Sequence, residues 1–206
     1  MKSDAIGFGL AGIAFGLIAG WVIGSQQVIV RSGAATVISA PEGAGTQTPV
    51  APPAAPLDES RVSALKAAAE KEPTNASPRV QLANLYFDAE RYPEAITWYS
   101  EALKLAPNDA DVSTDLGVSL YYTNQLDRAL EQFEHSLKSN PKHVKTLLNV
   151  GVVKAFGKQD LVGAEAAWQQ VLQLAPDSPE GQAAKRGLES LRAAHPGSAP
   201  TSRPGA

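Results

Sequence analysis

Three histidines, His135, His143 and His195, are the side chains with the widest chemical reach in this chain of 206 residues. A metal site or a proton relay would need them at ligand spacing from one another or from a carboxylate pair, and no such spacing is present. No G-x-S-x-G turn, phosphate-binding loop or dinucleotide fingerprint occurs. Cysteine is absent, which excludes disulfides, thiolate metal sites, thiol nucleophiles and a lipidated N-terminal cysteine. The carboxylates are scattered over amphipathic stretches, where a solvated face accounts for them. The sequence therefore predicts no enzyme, no cofactor and no metal, and points to binding.

A second set of spaced residues bears on membranes. Residues 5–24 carry no charge. As a helix that length spans about 30 Å, the thickness of a bilayer's hydrocarbon core. A secretory signal has a shorter apolar core and a prompt cleavage site. Here Ser25-Gln26-Gln27 follows, so an uncleaved transmembrane helix is expected, with Trp21 at an interface. Gly12, Gly16, Gly20 and Gly24 recur every four residues. That stripe admits a close helix partner, by self-association or on another membrane protein. Lys2 before the span and Arg31 after it weakly favour a cytoplasmic N-terminus. A short 1–4 tail then places the rest of a single-pass membrane protein on the extracytoplasmic, periplasmic side. Residues 25–57 read as a disordered linker, with Pro41, Pro49, Pro52, Pro53 and Pro56 among Ala, Gly and Thr.

Stepping along the remainder, one pattern repeats. Leu82-Ala83, Tyr86, Ala95, Tyr99, Ala102 and Pro107 each lie 34 residues before Leu116-Gly117, Leu120, Ala129, Phe133, Ser136 and Pro141. A third copy reads Val150-Gly151, Ala164, Trp168, Val171 and Pro176. Small residues recur where helices must approach, and prolines recur where the second helix of each pair must stop. A period of this length with these residues resembles the tetratricopeptide repeat. The resemblance implies an all-α, helical-hairpin solenoid with repeats at residues 76–109, 110–143 and 144–178. Residues 58–75 read as a leading cap helix, residues 179–194 as a C-terminal cap, and residues 195–206 as a disordered tail. The third copy is one residue longer, and the extra residue is expected in the exposed turn at residues 157–163.

The resemblance also implies a concave groove lined by the first helix of each pair, taking a protein or peptide partner. Carried onto this sequence, its positions are Ser77, Gln81, Asn84 and Asp88; Asp111, Asp115, Val118 and Tyr122; and Lys145, Asn149, Val152 and Phe156. Some members of the family clamp a terminal carboxylate with paired Lys/Arg and Asn. Asn84 and Lys145 match that arrangement, whereas Val80, Asp115 and Asn149 do not, and Asp115 would repel a carboxylate. Residues 58–194 hold 15 Lys+Arg against 19 Asp+Glu with no basic stripe, which argues against nucleic acid. The expected function is that of a membrane-anchored scaffold in assembly of an envelope or membrane complex. Alternatives are a chaperone-like factor of c-type cytochrome biogenesis, whose anchor, linker and repeat order is similar, and a structural subunit of a membrane complex.

Overall fold

The computed structural model describes residues 56–194. Chain contacts separate Met1–Pro53 from Ala54–Ala206, and only the second unit is described. The expected membrane helix with its glycine stripe, most of the linker and the tail from residue 195 lie outside the described residues. No helix among the described residues is long and apolar enough to cross a membrane.

Eight helices follow one another without a strand among these residues: α1 Glu59–Lys71, α2 Ser77–Asp88, α3 Tyr92–Leu105, α4 Ala110–Tyr122, α5 Leu126–Ser139, α6 Val144–Val152, α7 Leu161–Leu174 and α8 Pro179–Ala194. Local chemistry sets their starts. Asp58, Asp109 and Asp160 each accept a hydrogen bond from the backbone N–H three residues on, at 2.9–3.0 Å, capping α1, α4 and α7. Ser178 does the same for Gly181 at 3.0 Å, with Pro179 in the first turn of α8. Each helix packs chiefly on its chain neighbours, with smaller contacts of α4 on α6 and α6 on α8. That is the architecture of a solenoid.

Within each hairpin a large aromatic of the second helix lies over a small residue of the first. A Cβ on Gly117 would enter the Phe133 ring, and one on Gly151 would enter the Trp168 indole. The matching positions in the first hairpin are Ala83 and Tyr99, 0% and 2% exposed. Trp168 is covered on its other side by the C-terminal cap, where a Cβ on Gly187 would sit 2.8 Å from its Cζ3. Its indole N–H donates to the Leu148 carbonyl at 3.1 Å, so the buried polar atom is satisfied.

The extra residue of the third hairpin is not in the turn. It is taken up inside the first helix, whose end, Val153–Gly157, is a π-turn. The turn itself is preserved: Glu90, Asn124 and Gln159 stand at matched places with φ of 57°, 58° and 56°. The widened last turn absorbs the insertion because an i→i+5 turn takes up one residue more than an α-turn before the chain leaves the helix. The expectation of an enlarged surface turn is therefore corrected.

Two stability predictions follow from these contacts. Gly117→Ala gains about 1 kcal/mol of helix propensity but overpacks Phe133, a loss of about 1–3 kcal/mol. The melting temperature should fall, whereas Lys138→Ala on an exposed face should leave it within error; an unchanged melt for Gly117→Ala would contradict the contact. Glu90→Gly removes a left-handed non-glycine residue and should raise stability by up to about 1 kcal/mol in denaturant titration.

Candidate functional site

The first helices of the three hairpins, α2, α4 and α6, carry the candidate groove. Their outward residues are sorted by burial into three groups. Gln81 and Asp88 are exposed, as is Asp111. Asn84, Asp115, Tyr122 and Lys145 are half-buried. Val118 and Val152 are each 5% exposed and Asn149 is 8% exposed. The two valines belong to the packed interior, which corrects their assignment to a contact surface. Their small apolar side chains carried no signal to separate groove from core.

The polar members are held in place. The Tyr99 hydroxyl donates to Asn84 Oδ1 at 2.6 Å, which holds the carboxamide through its acceptor while its Nδ2 donors take no part in that bond. Burial pushes the Tyr99 hydroxyl pKa upward, with Asp115 and Asp88 adding to the shift, so it stays a donor. Asn149 Nδ2 donates to the Lys145 carbonyl at 2.9 Å, one turn back on its own helix. Gln81 Nε2 donates to Ser77 Oγ at 3.2 Å.

Asp115 on α4 and Lys145 on α6 form an ion pair at 2.6 Å, with side chains 26% and 20% exposed. Burial raises the Asp115 carboxyl, and Lys145 opposes that rise. The one cation among the candidate groove residues is thus held by a carboxylate of the neighbouring hairpin. An anionic ligand end would have to displace Asp115 to reach it.

Tyr122 is tied into an aromatic cluster at the hairpin turns. Its ring stacks on Tyr92 with centroids 4.5 Å apart, and Phe87 meets both edge-on at 5.4 and 6.1 Å. Desolvation raises the Tyr122 hydroxyl and pushes that of Tyr92 up to about 12. The cluster joins α2, α3 and α4, so Tyr122 packs hairpin against hairpin; Tyr92 was not singled out by sequence because its place at a helix start falls outside the repeat's small-and-large pattern. Phe156 lies in the π-turn, 36% exposed, its ring 6.4 Å from Trp168.

Sequence models of two repeat families match this region. One, a TPR repeat, matches residues 83–121, and the other, a tetratricopeptide repeat, matches residues 114–179. Through these residues the chain belongs to the tetratricopeptide repeat family. The chain is similar over 101 residues, at 32% identity, to the human protein O-mannosyl-transferase TMTC1, covering 47% of this chain and 11% of that protein. It is 28% identical over 88 residues to the Hsp70-Hsp90 organizing protein 3 of Arabidopsis thaliana, covering 43% of this chain and 16% of that one. The chain thus spans a small part of the length of these curated relatives. Among solved structures, the first TPR of Spaghetti (RPAP3), bound to an HSP90 peptide, aligns with a TM-score of 0.53 at 23% identity, covering 58% of this chain and 91% of that one. The Yersinia enterocolitica translocator chaperone SycD aligns at 0.55 and 18%, covering 58% and 92%. These likenesses establish the tetratricopeptide fold.

The ion pair yields a pH-dependent prediction. Lys145→Met leaves the Asp115 carboxylate without its cation and should cost about 1–3 kcal/mol at neutral pH. An acid whose folded pKa lies above its unfolded value binds a proton more readily when folded, so stability falls as pH rises between the two. The deficit of Lys145→Met should therefore shrink as pH is lowered from about 8 to about 4, and Asp115→Asn with Lys145→Met should recover most of it. Melts across that range check it; a deficit independent of pH would contradict the pairing.

Proposed function

We propose that the tetratricopeptide array is a protein-interaction scaffold that holds an extended peptide or helix along α2, α4 and α6, and that a membrane helix at residues 5–24 anchors it. Enzymatic activity is not part of this reading: the relatives named as transferases share only a small part of their length with this chain. The observation that carries the reading is the fixed carboxamide of Asn84 beside exposed Gln81 and Asp88 on one helix. Amide side chains supply both a donor and an acceptor, which the backbone of a bound peptide requires. Support also comes from RPAP3, whose TPR is seen with a peptide of HSP90, SRMEEVD. The Asp115–Lys145 pair sets this chain apart from a receptor for such a carboxylate-rich tail, and the favoured partner segment presents neutral amides or cationic side chains. Assembly of an envelope or membrane complex, on the extracytoplasmic side, is the role that an anchored scaffold of this layout serves.

Photo-crosslinking side chains introduced singly at Gln81 and Asp88 of the full chain, in its native cells, should give a discrete adduct with one partner. The same groups at Glu101 and Glu134 on second helices of the hairpins should not. Adducts from the second pair alone would overturn the groove reading. The anchor is checked separately: alkaline extraction should leave the full chain with the membrane and release it after deletion of residues 5–24.

A further inference from the structure

The two joints between full repeats are built from different chemistry at matched positions. Val80, Ala102 and Val112 stand at the first joint. The residues 34 positions on, at the second, are Thr114, Ser136 and Thr146. All three are fully buried and their hydroxyl oxygens form a ring, Thr114 to Thr146 at 2.6 Å, Ser136 to Thr146 at 2.7 Å and Thr114 to Ser136 at 3.0 Å. Thr114 and Ser136 donate to the Ala110 carbonyl at 2.7 and 2.9 Å, and their oxygens are then left as acceptors for the Thr146 hydroxyl. His143 Nδ1 meets Thr146 Oγ1 at 2.6 Å from outside the ring while its Nε2 faces Asp111 at 3.1 Å.

Ion pairs cross the same joint. Asp115–Lys145 and Asp127–Lys158, each at 2.6 Å, tie the second hairpin to the third. The first joint instead carries the Tyr92–Tyr122 stack with Phe87. Opening an apolar joint exposes valine and aromatic surface to water at a penalty proportional to area. Opening a polar one returns hydroxyls and charges to water, which satisfies them.

We propose that the array opens at the joint between its second and third repeats. Residues 144–194 separate from residues 56–143 as one cooperative unit, more readily than the first two repeats separate from each other, and the Thr114–Ser136–Thr146 ring sets that difference. The two-block behaviour is a property of the joint and stands whether or not the outer face of α2, α4 and α6 binds the partner.

Native-state amide hydrogen exchange of the full chain, read by mass spectrometry, tests this. Slowly exchanging amides of α6, α7 and α8 should share one rate, at least ~10-fold faster than those of α3, α4 and α5, with the step at residue 143. Thr114→Val, Ser136→Ala and Thr146→Val combined copy the first joint's chemistry into the second and should reduce the step at least ~10-fold. Thr146→Val alone, which leaves its partners short of a bond, should enlarge it. Rates that grade smoothly inward from residue 194, with α6 as slow as α4, would mean end fraying and would overturn the proposal. So would a step in the wild-type chain that the combined variant leaves unchanged.

Discussion

The fold depends on one recurring contact, a bulky aromatic pressed onto a position that tolerates almost no side chain. Phe133 over Gly117 and Trp168 over Gly151 leave no volume for a methyl group. The separation of two helix axes is set by the largest side chain between them and by the smallest one opposite. With that separation fixed in each hairpin, the next one inherits its position, because a solenoid has no central core to correct an error. Trp168 carries the constraint furthest. It spans from Gly151 in its own hairpin to Gly187 in the C-terminal cap, so one indole locks three helices. The cap has a structural duty as well as a solvating one.

Much of this was legible from spacing alone. The 34-residue period located the hairpins, and the small residues marked close approaches that the structure shows filled by Phe133 and Trp168. What spacing did not reveal was chemistry hidden inside a conserved shape. Threonine occupies the space of valine and serine that of alanine, so the hydroxyl ring left the repeat pattern undisturbed. Comparing the copies by polarity instead of size would have exposed it. The π-turn escaped for a related reason. Sequence length locates an insertion only to the interval between matched anchors, here Gly151 and Ala164. A helix can absorb one residue by widening a turn, and the place is decided by which backbone hydrogen bonds survive. Lys158 N–H bonding to the Val153 carbonyl records that outcome.

The candidate groove was legible to a lesser degree, because the family's register fixes where a residue lies and not what it already touches. Val118 and Val152 fell on the register and turned out buried. Tyr122 fell on it and turned out to be stacked on Tyr92. Lys145, alone, reads as a cationic hook for a carboxylate; beside Asp115 it is one half of a partly buried pair. Position gives the address of a side chain, and only its neighbours give its availability.

That pair also ranks the ligand chemistries. Drawing Lys145 onto a ligand carboxylate would strand Asp115, already raised by burial, beside a second negative charge. Like charges at such a site force proton uptake or withdrawal, and either erodes what the new contact contributes. A neutral amide makes no such demand: it can bond to Asn84 and pass over the pair intact. A ligand cation gains nothing at Asp115, which already holds the Lys145 ammonium at 2.6 Å, but beside exposed Asp88 it uncovers no buried charge. The pair therefore disfavours a ligand carboxylate, the reverse of the preference that a lone lysine would have implied.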